Sequence, residues 1–104
     1  MPDAEGHPEV AEMELRAVLT ALADDHRRSV VVTLLAQPED TERTCQSFGL
    51  PVGKSTLTHH FRILREAGLI RQVDRGNSRK VRLRRADLTR RFPGLLELLA
   101  AEGR

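Results

Sequence analysis

Ser55, Thr58, His59 and Arg62 place two hydroxyls, an imidazole and a guanidinium at i, i+3, i+4 and i+7. On a helix that spacing gathers them on one face. The set offers hydrogen-bond donors and acceptors but no paired nucleophile and base, so its chemistry is recognition rather than bond making. Leu57, Phe61 and Leu64 fall on the other face, with His60 and Ala67 beside them. Lys54 to Leu69 thus reads as one short amphipathic helix, ended by Gly68 as a left-handed residue with Leu69 folding back on the last turn. A small polar N-terminus, a cationic outer face and an apolar inner face suit a helix lying in a DNA major groove. An ordinary surface helix has the same pattern, and only Glu66 breaks the outer face. The rest of the chain has to decide between them.

Charge favours the first reading. Residues 1–53 hold four Arg against ten acids, a net of −6, while residues 54–91 hold twelve Lys or Arg against three acids, a net of +9. The overall +2 conceals this split. A block so basic, around the candidate reading helix, is a footprint for a polyanion. Aromatics are limited to Phe48, Phe61 and Phe92, which argues against binders that stack single-stranded bases.

Enzymatic motifs fail on inspection. Gly53-Lys54-Ser55 suggests a phosphate loop, but that motif needs a glycine at position 48, which is Phe, and a preceding strand. Ser47, Ser55 and Ser78 lack the flanking glycines of a nucleophile elbow. One Cys and four His are too few and too scattered for a tight metal site, and adjacent His59 and His60 diverge by about 100° on a helix. Cys45 permits no internal disulfide and reads either as a redox switch or, more simply, as a small buried hydrophobe. No enzyme, cofactor or metal is expected.

At 104 residues the chain has room for one domain, burying about 65% of its unfolded surface. The polar stretch 1–8 reads as a flexible tail, and residues 9–104 as the domain. From about Glu9 to Ala23 the pattern is helical, with Ala11, Leu15, Val18 and Leu22 on one face and Met13, Ala17 and Ala21 on a second. Apolar residues on two sides imply either a wide core stripe or contact with a second chain. Asp24 is a good N-cap for a helix carrying Val30, Val31, Leu34 and Leu35 and stopping before Pro38. Residues 37–43 read as loop, Thr44 to Phe48 as a short helix closed by Gly49, and residues 50–53 as a turn into the reading helix. Two short helices joined by a tight turn form a helix-turn-helix.

After Gly68 the period becomes two. Residues 70–75 and 79–84 alternate around Gly76-Asn77-Ser78, which is hairpin chemistry. Val81 and Leu83 face one way; Lys80, Arg82 and Arg84 face the other. A basic hairpin next to a reading helix is a wing for phosphate backbone or minor groove; charge guarding a sheet edge is the plainer account. Leu95, Leu96, Leu98 and Leu99 in a last helix are many for a monomer's surface and suggest pairing with the first helix across a twofold. Closing the core of one chain would use them as well. The acidic N-terminus and the absence of a long apolar run predict a cytoplasmic protein without a membrane span.

The segment Ser55-Thr56-Leu57-Thr58-His59-His60-Phe61-Arg62-Ile63-Leu64-Arg65-Glu66-Ala67-Gly68-Leu69-Ile70 resembles the recognition helix of the ArsR family of winged-helix repressors, and the helix from Asp24 with Arg27-Arg28 resembles that family's second helix. The resemblance spans roughly residues 12 to 100. It implies a mainly α winged helix-turn-helix of about five helices and a two-stranded wing. It further implies a homodimer joined by first and last helices (Leu15, Val18, Leu22, Leu95, Leu96, Leu98, Leu99) that represses from a palindromic operator until a small-molecule effector lowers its affinity. Double-stranded DNA would meet Lys54, Ser55, Thr56, Thr58, His59 and Arg62 on the helix, and Arg75, Asn77, Arg79 and Lys80 on the wing. The Cys-x-Cys pair of the metal-sensing members is absent: the neighbourhood is Arg43-Thr44-Cys45-Gln46-Ser47. A protein-interaction module, or a non-specific DNA binder without an effector, would share most of these features.

Overall fold

The computed structural model describes residues 1–102. Helices α1 (Leu15–Ala23) and α2 (Asp25–Leu35) lead to a short strand β1 (Arg43–Thr44) and a 3-10 turn at Cys45–Phe48. Then come α3 (Lys54–Ala67), strands β2 (Ile70–Asp74) and β3 (Arg79–Leu83), and helices α4 (Arg85–Arg91) and α5 (Leu95–Glu102). The sheet is antiparallel in the order β1-β3-β2, with Ile70 opposite Leu83 and Asp74 opposite Arg79. The winged helix-turn-helix expected from the sequence is therefore present, with one strand more than the hairpin alone.

The core forms where the apolar faces of α1, α2, α3, β2, β3, α4 and α5 converge. Val18, Val30, Val31, Leu34, Leu64, Leu69, Ile70, Val81 and Leu88 are all buried there. Burial of a side chain of this size contributes about 1.5–3 kcal/mol. Asp24 caps α2 by accepting from the Arg27 amide at 3.0 Å, as its position predicts. Gly68 ends α3 with φ +94°, and the Leu69 amide donates to Leu64 O at 3.0 Å, closing the helix as expected. A Cβ on Gly68 would lie 2.8 Å from Met13 Cε, so this glycine serves both the backbone turn and the packing of Met13.

Four expectations are corrected. The first helix is not continuous from Glu9. A 3-10 turn at Val10–Glu12 ends at Met13, and Met13 and Glu14 are extended before α1 begins. The break lets Met13 drop its side chain onto Gly68, where it is 1% exposed. Residues 43 and 44, expected as loop and helix, pair with β3 as β1 because Arg43 and Thr44 lie opposite Val81 and Lys80. Residues 85–91, to which the sequence pattern assigns no element, form α4; Leu88 seals the core and Arg85 donates to Leu34 O and Gln37 O at 2.7 and 2.6 Å. That guanidinium caps the C-terminal end of α2.

Residues 1–8, expected as a frayed tail, are seated on the domain. The His7 ring is buried, its Nε2 accepting from the Gln72 amide at 2.9 Å and its Nδ1 lying 2.9 Å from Asp3 Oδ2. The acceptor role of Nε2 places the ring proton on Nδ1, which donates to Asp3. Amide and ring donors hold the Asp3 carboxyl at about 2. Arg65 donates to Glu5 O and Arg84 to Pro8 O, at 2.7 and 2.8 Å. Among the described residues no helix is long and apolar enough to cross a membrane.

Candidate nucleic-acid interface

Leu57, Phe61 and Leu64 turn α3 onto the core, and the same geometry leaves the opposite face in water. Lys54, Ser55, Thr56, Thr58, His59 and Arg62 are all exposed. Gly53 precedes the helix without a side-chain cap, so the first amides of α3 point outward uncapped. The Thr58 hydroxyl donates to Lys54 O at 3.1 Å, which leaves its lone pairs as acceptors. Arg62 lies 3.2 Å from His59 Nδ1. Arginine can only donate, so His59 is held as the tautomer with its proton on Nε2, facing solvent.

The wing stands next to this helix. A cleft of about 530 Å³ runs between them, lined on the α3 side by Lys54, Thr58, Arg62 and Arg65 and on the wing side by Asn77, Ser78 and Arg79. The tip is closed by the Arg75 amide donating to Ser78 O at 2.9 Å, with Gly76 at positive φ. Of the residues that the sequence singles out, Lys54, Thr58 and Arg62 of the helix and Asn77 and Arg79 of the wing line this cleft, whereas Ser55, Thr56, His59, Arg75 and Lys80 do not.

The twelve basic residues of 54–91 are not equally engaged, which sequence alone did not show. Arg65, Arg84, Arg85 and Arg91 are spent on the backbone carbonyls of Glu5, Pro8, Leu34 and Met13. Arg75, expected to face DNA, is drawn back to Glu42 by a two-pronged pair at 3.0 and 2.6 Å. That pair pushes the Glu42 carboxyl down and the Arg75 guanidinium up. Arg79 and Lys80 have no such acceptor among the described residues, nor has Arg82, which the alternation puts on the basic strand face but not among the expected contacts. The signal for Glu42 was unreadable from spacing, since 33 positions separate it from Arg75.

Cys45 sits half-buried in the lining of the same cleft, and burial pushes its thiol up. The thiolate is thereby disfavoured, which suits the small-hydrophobe reading. One group of carboxylates and imidazole with metal-like spacing exists among the described residues, Asp3, Glu5 and His7, but both ring nitrogens of His7 are already engaged by Gln72 and Asp3.

The apolar candidates also divide. Val18, Leu22 and Leu96 are buried in the chain's own core. Leu15 and Leu98 are 49% and 71% exposed, as is Leu19 at 51%, which the sequence reading did not single out. Leu19, Leu22, Val32, Leu95, Leu98 and Leu99 line an open groove of about 590 Å³ between α1, α2 and α5.

Residues 24–72 match the family model described as "Bacterial regulatory protein, arsR family". Over 89 residues the chain is 33% identical to an uncharacterized HTH-type transcriptional regulator, YceK, of Bacillus subtilis (strain 168), spanning 83% of this chain and 87% of that protein. Among solved structures, an ArsR-like transcriptional regulator from Rhodococcus sp. RHA1 is 27% identical with a TM-score of 0.58, covering 86% of this chain and 81% of that one. The transcriptional repressor BigR from Xylella fastidiosa shares the fold with a TM-score of 0.63 at 21% identity, covering 84% and 80%. The matched region runs from the α2 cap through the reading helix into the wing, and with the Bacillus relative it establishes that the chain belongs to the ArsR family of DNA-binding transcriptional regulators.

Proposed function

We propose that the protein is a homodimeric repressor that binds a palindromic operator through α3 and the wing. The observation that carries this reading is the cleft shared by Lys54, Thr58 and Arg62 of α3 and Asn77 and Arg79 of the wing. It sets hydrogen-bonding groups for base edges beside cations for phosphate on one face. In this reading Ser55, Thr58, His59 and Arg62 choose the sequence. Lys54, Thr56, Asn77, Arg79 and Lys80 position the duplex, with Arg75 contributing weakly because Glu42 competes for it.

The exposed Leu15, Leu19 and Leu98 support a twofold formed by α1 and α5, since a monomer gains nothing by leaving three leucines in water. Two α3 helices related by that twofold would read half-sites about one helical turn apart. A repressing role agrees with that of BigR, a transcriptional repressor of the same fold. The working compartment is then the cytoplasm, where the operator lies, and an effector of unidentified chemistry would release the complex.

Selection of bound sequences from a random duplex pool, with the mass in solution measured alongside, tests the whole reading. The expected result is an inverted repeat recovered by a dimer. A pool without consensus, bound weakly and lost with salt, would mark a non-specific binder instead.

A further inference from the structure

His60 is the one residue of the reading helix that is both ionisable and buried. It faces inward at 6% exposure, one position from outward-facing His59. Its Nδ1 lies 3.1 Å from Arg27 Nη1. The guanidinium can only donate, so Nδ1 is the acceptor and the ring is neutral, with its proton on Nε2. Arg27 is itself immobilised: Nε donates to Ala21 O at 2.9 Å and Nη2 to Thr20 O at 3.4 Å, at the end of α1. One guanidinium therefore ties the last turn of α1, the start of α2 and the inner face of α3 together. We propose that the Arg27–His60 hydrogen bond is the positioning contact that sets α3 for operator reading, and that a proton on His60 releases it. The functional half of this rests on the operator reading above; the contact itself does not.

The chemistry follows from lone pairs. A proton from solvent can add only at Nδ1, whose lone pair now accepts from Arg27. The imidazolium then carries N–H at both nitrogens, and the hydrogen bond becomes two cations facing each other as donors. Arg27 stays on its two carbonyls, so the displacement falls on His60 and on α3. The surrounding charges do not offset this. From the start of α2, His26 lies 6.0 Å away, ring to ring, and from α3 itself His59 lies at 6.3 Å; both oppose a further positive charge. Among the described residues Asp24 is the sole acid close by, with Oδ1 4.0 Å from Nε2, and that same oxygen already accepts from the Arg27 amide as the cap of α2. Arg16 of α1 and Glu14 just before it flank α3 farther along, beside Ile63 and Glu66. Burial, with Arg27 and the two histidines, outweighs Asp24 and pulls the His60 imidazole below its ordinary value.

His60→Gln keeps a neutral acceptor that does not titrate; His60→Ala removes it. In the wild-type protein, lowering the pH from about 7.5 to about 5 should reduce the ratio of operator to random-duplex affinity by about tenfold. In His60→Gln the ratio should hold near the wild-type value at the higher pH and lose its acid decline. In His60→Ala it should be low throughout.

Nitrogen-detected NMR of the imidazoles in the free wild-type protein gives a readout that needs neither DNA nor a variant. It should show His60 with its proton on Nε2, and its titration should move the α3 amides and the Arg27 side chain. A proton found on Nδ1, or a titration silent in α3, would overturn the contact. A His60→Gln profile that keeps the acid decline, or a His60→Ala ratio equal to wild type, would overturn the positioning role. If no duplex sequence is preferred even at the higher pH, the operator reading fails and the positioning role goes with it, while the NMR result still decides the contact.

Discussion

The α3–wing side and the α1–α5 side both leave in water groups that folding could have hidden, for opposite physical reasons. On the first, Lys54, Arg62, Arg79 and Lys80 remain hydrated because burial of unpaired charge costs far more than folding can return. In the proposed complex they meet phosphate, whose approach releases counterions. On the second, Leu15, Leu19 and Leu98 remain exposed because the core beneath is already filled by Val18, Leu22 and Leu96. In the proposed dimer they meet apolar surface, whose approach releases water. The first side should then be sensitive to salt and the second to concentration. On that proposal, affinity for a two-fold operator requires both, because a dimer turns the second half-site into an intramolecular partner.

The largest expected effect comes from the apolar side. Leu19→Glu with Leu98→Glu should yield a folded monomer, its thermal midpoint moved by only a few degrees, with operator affinity down by about 100-fold or more. Sedimentation and a binding titration check this; a dimer of undiminished affinity would show that the groove is not the joint. Next is a change that damages both sides at once. Gly68→Ala meets Met13 and a left-handed backbone together, and should cost about 2–3 kcal/mol by denaturant unfolding.

On the polar side, Arg62→Ala should weaken operator binding by about 1–3 kcal/mol while changing random-duplex binding little. Equal losses on both duplexes would remove Arg62 from base reading. Smallest is the contrast within the wing. Arg79→Ala should flatten the log–log salt dependence by about one unit. Arg75→Ala should do less than Arg79→Ala, because Glu42 already neutralises Arg75, and Glu42→Gln should raise random-duplex affinity by about two- to threefold. An Arg75 variant as damaging as Arg79→Ala would show that the ion pair opens on DNA.

The unfolding equilibrium carries its own pH signature. His60 is held below its ordinary value in the folded chain, so the unfolded chain takes up the proton first as pH falls. Stability is full above about 6.5 and declines as pH drops through the folded-state value. His60→Gln should remove that component from a denaturant series run between neutral and mildly acidic pH.

What could be seen in the sequence was whatever depends on neighbours a few positions apart. The stripe Leu57, Phe61, Leu64 specifies α3, because a helix returns to the same face every three or four residues. The Asp24 cap, the Gly68 stop and the strand alternation around residues 76–78 are equally local, and each stands in the structure as its spacing implies. The rest was hidden for want of a local partner. Strand β1 exists only because β3 lies beside it. The 1–8 segment is seated by a buried histidine whose acceptor role depends on Gln72, 65 positions away. Helix α4 has a single buried residue, Leu88, too few to set a period.

The sequence alone therefore determined the reading helix, its wing and the sign of the face they share, because periodicity and charge are properties of order along the chain. Which arginines are engaged within the chain was decided only by the tertiary structure. A guanidinium within reach of an unsatisfied carbonyl, as Arg85 is of Leu34 and Gln37, becomes part of the scaffold. One with a carboxylate opposite it, as Arg75 has Glu42, is already neutralised. Both partners come from distant positions, and only folding brings them within 3 Å.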